Sequence, residues 1–257
     1  MSVYTTEIAS DKIASDNPIH QRLLRPYHAC HDLVHGRVLE IGCGEGRGVE
    51  ILGDTGIQYT GVDKIEEVIS ALAIEYPIFD FIAMNIPPLE GFENDIFDVV
   101  ISFQVIEHIK NDRRYLEEIR RVLKPGGKAY ITTPNINMTL SRNPWHVREY
   151  TPEELREIAG SIFRKVEMRG IAGNEKVMAY YEQNKRSVER LMKWDVLDLQ
   201  HRLPAGLLKL PYEILNRFNR NKLKAGNDAL VDDIVYSDYL VSDDPEHALD
   251  LFCILEA

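Results

Sequence analysis

The sequence predicts an α/β protein with a doubly wound, largely parallel sheet. Three observations carry that expectation. Apolar runs that read as strands alternate with stretches of helical spacing over residues 37–171, the order that gives parallel strands joined by crossover helices. Glycines at alternate positions, Gly42, Gly44, Gly46 and Gly48, join the first of these runs to the first helical stretch. Such a turn lets a ligand approach bare backbone, and amide N–H groups at a helix start can hold negative charge. Polar residues then gather at the carboxyl ends of the runs: the glycine turn, Asp63, Asn85, Ser102 and Gln104. Open sheets of this kind bind ligands at that edge, beside the point where the strand order reverses.

In chain order, residues 1–17 are polar and mixed, which fits a mobile arm or a loosely docked helix. Over residues 18–35 the spacing of Ile19, Leu23, Leu24, Tyr27, Leu33 and Val34 predicts a helix. Its histidines, His20, His28, His31 and His35, lack carboxylates at ligand spacing and read as surface and core residues, not a metal cluster. Strands follow at 37–41, 58–63, 79–85, 97–103 and 128–133, with helices opening at Val49 and spanning 65–75 and 111–123. Pro77 and Pro125-Gly126-Gly127 stop two of these helices, and Pro87-Pro88 and Gly91 mark a loop. Thr151-Pro152-Glu153-Glu154 is a helix start, with Thr as cap, Pro at the first position and Glu154 three residues after the cap. Residues 163–171 read as a sixth strand and 248–255 as a closing one. Between them, residues 174–225 look helical and broken at Pro204 and Pro211. The expected organisation is a core over 1–172 with a helical arm, a helical insertion over 173–246, and the closing strand within 247–257.

The formal net charge is −11, which argues against a protein that holds nucleic acid through many cation–phosphate pairs. Cys30, Cys43 and Cys253 have no paired spacing, so neither a disulfide framework nor a zinc site is expected, and a reducing, cytoplasmic location is. The first residues lack a basic segment followed by an apolar one, so no leader peptide is expected. No run has the apolar length of a membrane span.

The dinucleotide fingerprint Gly-x-Gly-x-x-Gly fails in both registers, where Arg47 or Val49 takes the third position. What stands there is Glu40-x-Gly42-x-Gly44-x-Gly46. Together with Asp63, with Phe97-Asp98-Val99-Val100 and with Val122-Leu123-Lys124-Pro125-Gly126-Gly127, it resembles the motif series of class I S-adenosylmethionine-dependent methyltransferases. The resemblance covers most of residues 36–172 and the last ten. It implies a Rossmann-like sheet of seven strands whose last strand runs antiparallel between the fifth and sixth, here after a long helical insertion. It also implies S-adenosylmethionine as cofactor and S-adenosylhomocysteine as product. In that family Asp63 would accept both ribose hydroxyls, a task that suits the two oxygens of a carboxylate. Asn85, where the family usually has Asp, would hold the adenine with the backbone of Met84 and Ile86. Glu40, Gly42, Cys43, Gly44, Gly46, Lys64, Phe103 and Gln104 complete the implied cofactor set.

Gln104-Val105-Ile106-Glu107-His108 is similar to the Glu-x-x-Glu-His pattern of small-RNA 2′-O-methyltransferases and quinone-biosynthesis O-methyltransferases, which can ligate a divalent metal. Here Gln104 replaces the first Glu, and hard cations need carboxylate charge. No metal is therefore expected, and Glu107 and His108 read as loop and pocket residues. The loop after the fifth strand carries Trp145, His146 and Tyr150. Trp145 and Tyr150 are expected to wall a substrate or to pack the loop, and His146 or His108 to act as base if the acceptor needs one. Residues 201–224 hold Arg202, Lys209, Arg217, Arg220, Lys222 and Lys224 against Glu213 alone, interleaved with leucines and aromatics. A cap helix with solvated charges is expected there, with contact to a phosphate-bearing substrate or weak contact to an anionic membrane as the alternatives.

The expected function is methylation of an oxygen on a small molecule or glycan. The alternatives are a metal-assisted quinone- or RNA-type enzyme and a non-catalytic S-adenosylmethionine-binding protein.

Overall fold

The computed structural model describes residues 13–193, 199–226 and 228–257. Most of the arm expected over 1–17 lies outside them. The chain order is α1 (Asn17–Cys30), β1 (Arg37–Ile41), α2 (Arg47–Leu52), β2 (Gln58–Asp63), α3 (Glu66–Glu75), β3 (Asp80–Ala83) and β4 (Phe97–Phe103). There follow α4 (Asp112–Val122), β5 (Leu123–Pro134), α5 (Pro152–Gly160), β6 (Lys165–Gly173), α6 (Glu175–Met192), α7 (Leu199–Arg202), α8 (Ala205–Gly226), α9 (Asp228–Asp232), β7 (Tyr239–Ser242) and β8 (Asp250–Glu256).

One sheet runs β3-β2-β1-β4-β5-β8-β6-β7. β1 to β5 are parallel, and β8 runs antiparallel to both of its neighbours, β5 and β6. The strand order reverses between β1 and β4, which places the glycine turn and the end of β4 side by side. The sheet has eight strands rather than the expected seven. The extra one, β7, is a four-residue edge strand antiparallel to β6.

Alternation along β1 sends side chains to both faces. Leu39 and Ile41 pack with Tyr115, Leu116, Ile119 and Val122 of α4 and with Leu155 and Ala159 of α5. Val38 joins Tyr27 and Cys30 of α1, Val49 and Leu52 of α2, and Val177 and Tyr180 of α6. Each large apolar side chain fully buried this way stabilises the fold by about 1.5–3 kcal/mol. α5 carries the capping box expected at Thr151 and Glu154.

The insertion is α6 to α9. Pro204 separates α7 from α8 as expected, whereas Pro211 lies inside α8. Pro211 is exposed, so water can satisfy the carbonyl that its missing N–H leaves open. α8 packs on α6, α9 and residues 14–16. Two of its basic residues are only partly exposed: Arg217 and Arg220 both pair with Asp16, at 2.9 and 3.1 Å, and Asp16 is 1% exposed. The expectation that these charges are solvated is corrected by that pairing. Lys224 pairs with Asp232 at 2.5 Å.

Candidate functional site

The glycine turn leaves β1 at the switch point with Gly42, Gly44 and Gly46 at φ of 77°, 49° and 92°. This left-handed backbone is what glycine permits. A Cβ on Gly44 would meet nothing within 4 Å, so that side of the turn is open to a ligand. Four of the turn's own amides are already engaged. The N–H groups of Gly42 and Cys43 both donate to the Val62 carbonyl, that of Gly46 to the Cys43 carbonyl, and that of Gly44 to Asp63 Oδ2 at 3.1 Å. These amides build the turn, and the expected place for negative charge is the start of α2 beyond them.

Asp63 ends β2 beside it. Its Oδ1 accepts from the Ile65 N–H at 3.1 Å, so each carboxylate oxygen holds one backbone donor and keeps capacity for a second. Met84 donates its N–H to the Asp63 carbonyl, which sets the exposed Asn85 and the half-buried Ile86 next in line along the same edge. Lys64 is exposed there. Gln104 follows β4 at φ 58°, its N–H bonded to the Thr132 carbonyl. Gly44, Asp63, Asn85 and Gln104 thus present an open backbone, a carboxylate with spare acceptor capacity, an amide and a second amide along one edge, which fits a nucleoside bearing an amino-acid tail.

Three expected cofactor contacts are corrected as side-chain contacts. Glu40 is 1% exposed and accepts hydrogen bonds from Tyr27 (2.6 Å) and from Tyr59, so its carboxylate is committed to the core. Burial pushes its pKa up to about 7, against the lowering effect of both hydroxyls. A Cβ on Gly48 would overlap that carboxylate, so the fourth glycine makes room for Glu40. Cys43 is 3% exposed, and burial raises its thiol well above the ordinary range. Phe103 packs between Tyr27 and Phe252. Cys43 and Phe103 can offer a ligand only backbone.

Beyond Gln104 opens a cavity of about 280 Å³. Its floor is Gln104, Glu107 and His108 after β4, and one wall is Met138, Asn143, His146 and Glu149 from the loop after β5. Arg22 and Leu23 of α1, Tyr180 and Asn184 of α6, and Tyr212, Asn216, Asn219 and Arg220 of α8 close the rest. The insertion therefore faces the strand-end rim.

His146 Nδ1 lies 2.6 Å from Glu149 Oε1, and its Nε2 lies 2.8 Å from Asn143 Nδ2. One tautomer satisfies both: Nδ1–H donates to Glu149, and Nε2 accepts from the Asn143 amide. His108 Nδ1 lies 3.0 Å from the Trp145 carbonyl, which makes it the donor. Glu107 is 1% exposed and accepts from Thr133 Oγ1 at 3.0 Å, and burial pushes its pKa up to about 7. Ligand atoms of Glu107, His108 and His146 lie within 4.8 Å of one another.

Both expected substrate residues are displaced from the cavity lining. Tyr150 is fully buried in the core, its hydroxyl donating to Asp112 at 3.0 Å. Trp145 packs under Lys209 of α8, whose Nζ is 3.4 Å from the ring centroid. Glu149 was not expected as a site residue, although its spacing three after His146 was visible. Arg22, paired with buried Asp250 at 3.2 Å, and the polar residues of α6 and α8 carried no local signal.

The family described as "Methyltransferase domain" matches residues 39–131, the stretch that holds the glycine turn, Asp63 and Glu107. Over this stretch the chain is similar to the class I S-adenosylmethionine-dependent methyltransferases. A "Probable S-adenosylmethionine-dependent methyltransferase" of Mycolicibacterium smegmatis is 37% identical over 146 residues, 54% of this chain and 54% of that protein. The mitochondrial "Ubiquinone biosynthesis O-methyltransferase" of Rattus norvegicus is 35% identical over 107 residues, 38% of this chain and 31% of that protein. The chain spans about half the length of the curated relatives it matches first. Its fold is similar to that of a SAM-dependent methyltransferase from Archaeoglobus fulgidus, with TM-score 0.56, 18% identity and 94% of each chain covered. S-adenosylmethionine is the methyl donor of this family, and the strand-end edge described above fits it.

Proposed function

We propose that the protein transfers a methyl group from S-adenosylmethionine to a hydroxyl oxygen of a small molecule or glycan held in the cavity. The observation that carries this reading is the His146–Glu149 pair, set in a polar cavity that adjoins Gln104 at the cofactor edge. S-adenosylmethionine supplies an electrophilic methyl that needs no further activation. The protein's part is to align the acceptor, exclude water and take up the released proton. Nε2 of His146 would receive that proton once the acceptor hydroxyl replaces the Asn143 amide, and Glu149 would stabilise the resulting imidazolium. Tyr212, Asn184 and Asn216 suit a hydroxyl-rich acceptor, since tyrosine and amide side chains both donate and accept. We assign α6 to α9 the role of a cap that sets the size of the acceptor. The oxygen reading is supported by the likeness to the rat O-methyltransferase.

One observation favours a second, metal-assisted reading. Glu107, His108 and His146 converge, and both imidazoles have Nδ1 anchored by an oxygen, the outer-shell arrangement typical of ligating histidines. With two imidazoles and one carboxylate, the set would suit zinc, manganese or iron better than magnesium. The ion would polarise the acceptor oxygen.

A screen of hydroxylated metabolites and glycans for a one-methyl mass increase tests the first reading, and absence of any methylated oxygen product would count against it. Once an acceptor is found, chelation separates the two. Turnover that survives chelation supports His146 as base, and loss restored by zinc or manganese supports the metal.

A further inference from the structure

The outer face of α8 carries an apolar stripe that is uncovered among the described residues. Leu207, Leu210, Ile214, Leu215 and Phe218 are between 49% and 66% exposed. Steps of three and four residues keep them on one side of the helix for about 16 Å. The inner face of the same helix is polar where it lines the cavity, through Tyr212, Asn216, Asn219 and Arg220. One helix therefore separates the cavity from whatever meets the stripe.

Charge says what that is. The chain carries −11, yet α8 holds basic residues against Glu213 alone. Arg217, Arg220 and Lys224 are held by Asp16 and Asp232. Arg202, which ends α7, and Lys222 of α8 are exposed and flank the stripe in sequence, and the one carboxylate between them, Glu213, is half-buried. A second copy docked stripe to stripe in two-fold symmetry would oppose these like charges. An anionic surface meets both the apolar stripe and its basic ends. No described helix is long and apolar enough to cross a membrane, so the stripe suits a helix lying in the plane of the interface.

We propose that the outer face of α8 seats this protein on an anionic lipid bilayer. Leu207, Leu210, Ile214, Leu215 and Phe218 dip to the level of the acyl chains, and Arg202 and Lys222 meet the headgroups. The cavity behind α8 takes its acceptor from that surface, as a hydroxyl-bearing headgroup on a lipid chain. This last step rests on the methyl-acceptor reading of the cavity, and the docking does not.

Flotation of the full chain with phosphatidylglycerol-rich vesicles and with pure phosphatidylcholine vesicles tests the docking. The protein is expected to float with the anionic vesicles and much less with the neutral ones. The combined variant Leu210→Gln, Ile214→Gln and Phe218→Gln changes exposed positions only. It should reduce the bound fraction by about tenfold or more, with S-adenosylhomocysteine affinity and melting temperature unchanged. Arg202→Gln with Lys222→Gln should weaken binding several-fold and flatten its salt dependence. The proposal is overturned if the wild type stays in the aqueous fraction or if the triple variant floats equally well. It is also overturned if sedimentation shows a self-associated species that the triple variant abolishes. S-adenosylhomocysteine binding without flotation would remove the docking and leave the methyltransferase reading intact; flotation without that binding would do the reverse.

Discussion

Glu40→Gln tests whether the acid of the glycine motif is a core residue rather than a ligand contact. The glutamate is 1% exposed, and its pKa rises from 4.5 to about 7, chiefly through burial. A carboxyl raised in the folded state binds its proton more tightly there than in the unfolded chain. Its contribution to stability is fully present below the unfolded value and is lost as pH climbs through the folded one. The whole shift is worth about 3 kcal/mol at 1.36 kcal/mol per unit, of which roughly 2.5 kcal/mol falls between pH 5 and pH 8. Gln has nearly the same shape and no charge, and the Tyr27 and Tyr59 hydroxyls can turn to meet its amide. Urea denaturation of both proteins at pH 5 and pH 8 reads the effect. The stability difference should move in favour of Glu40→Gln by that amount on going to pH 8. The Glu107 contribution is common to both proteins and cancels. A difference that stays constant across this range would refute the buried-acid account.

Asp63→Ala removes the acceptor of the Gly44 and Ile65 amides and, on the proposed reading, of the ribose. S-adenosylhomocysteine affinity measured by calorimetry should fall by about 2–4 kcal/mol. His146→Asn and Glu149→Gln should each lower turnover by about 10²–10⁴-fold while S-adenosylhomocysteine affinity is kept, and parallel loss of cofactor binding would point to a structural role. Asp16→Asn leaves Arg217 and Arg220 without their counter-charge. Because both are partly exposed, at 31% and 15%, the expected cost is about 1–3 kcal/mol in chemical denaturation, and an unchanged midpoint would show that the latch contributes nothing.

What could be read in the sequence was local. β1, the glycine turn and Asp63 lie within one stretch of chain, and their pattern alone specifies the strand, the turn and the switch point. Glu40 reads as a ligand contact because the glycine turn begins two residues after it, whereas its partners, Tyr27 and Tyr59, arrive from α1 and β2. Tyr150 stands in a loop rich in functional residue types, and only packing against α4 shows that it is core. β7 is four residues long and is a strand because β6 offers it an edge. The Asp16 pairing joins positions about two hundred residues apart, which no periodicity reports. His146 and Glu149 were within reach, since an acid three residues after a histidine is a visible spacing even without a helix.

The place of β8 constrains how the molecule can assemble. β5 and β6 do not touch as strands; β8 fills the gap between them and pairs with both. β6, the β7 edge and the polar wall that α6 supplies are therefore grafted onto the sheet through a strand that lies more than a hundred residues beyond β5. Closing such a span costs entropy before any pairing rewards it, whereas the crossovers of β1 to β5 are short. The glycine-turn half is expected to form as a local unit, and the half beyond β5 to wait for β8. In pulse-labelled hydrogen exchange during refolding, amides of β6 and β7 should gain protection together with those of β8 and after those of β1 and β4. A protein assembled in this order completes the edge around its glycine turn before the cavity beside that edge is closed.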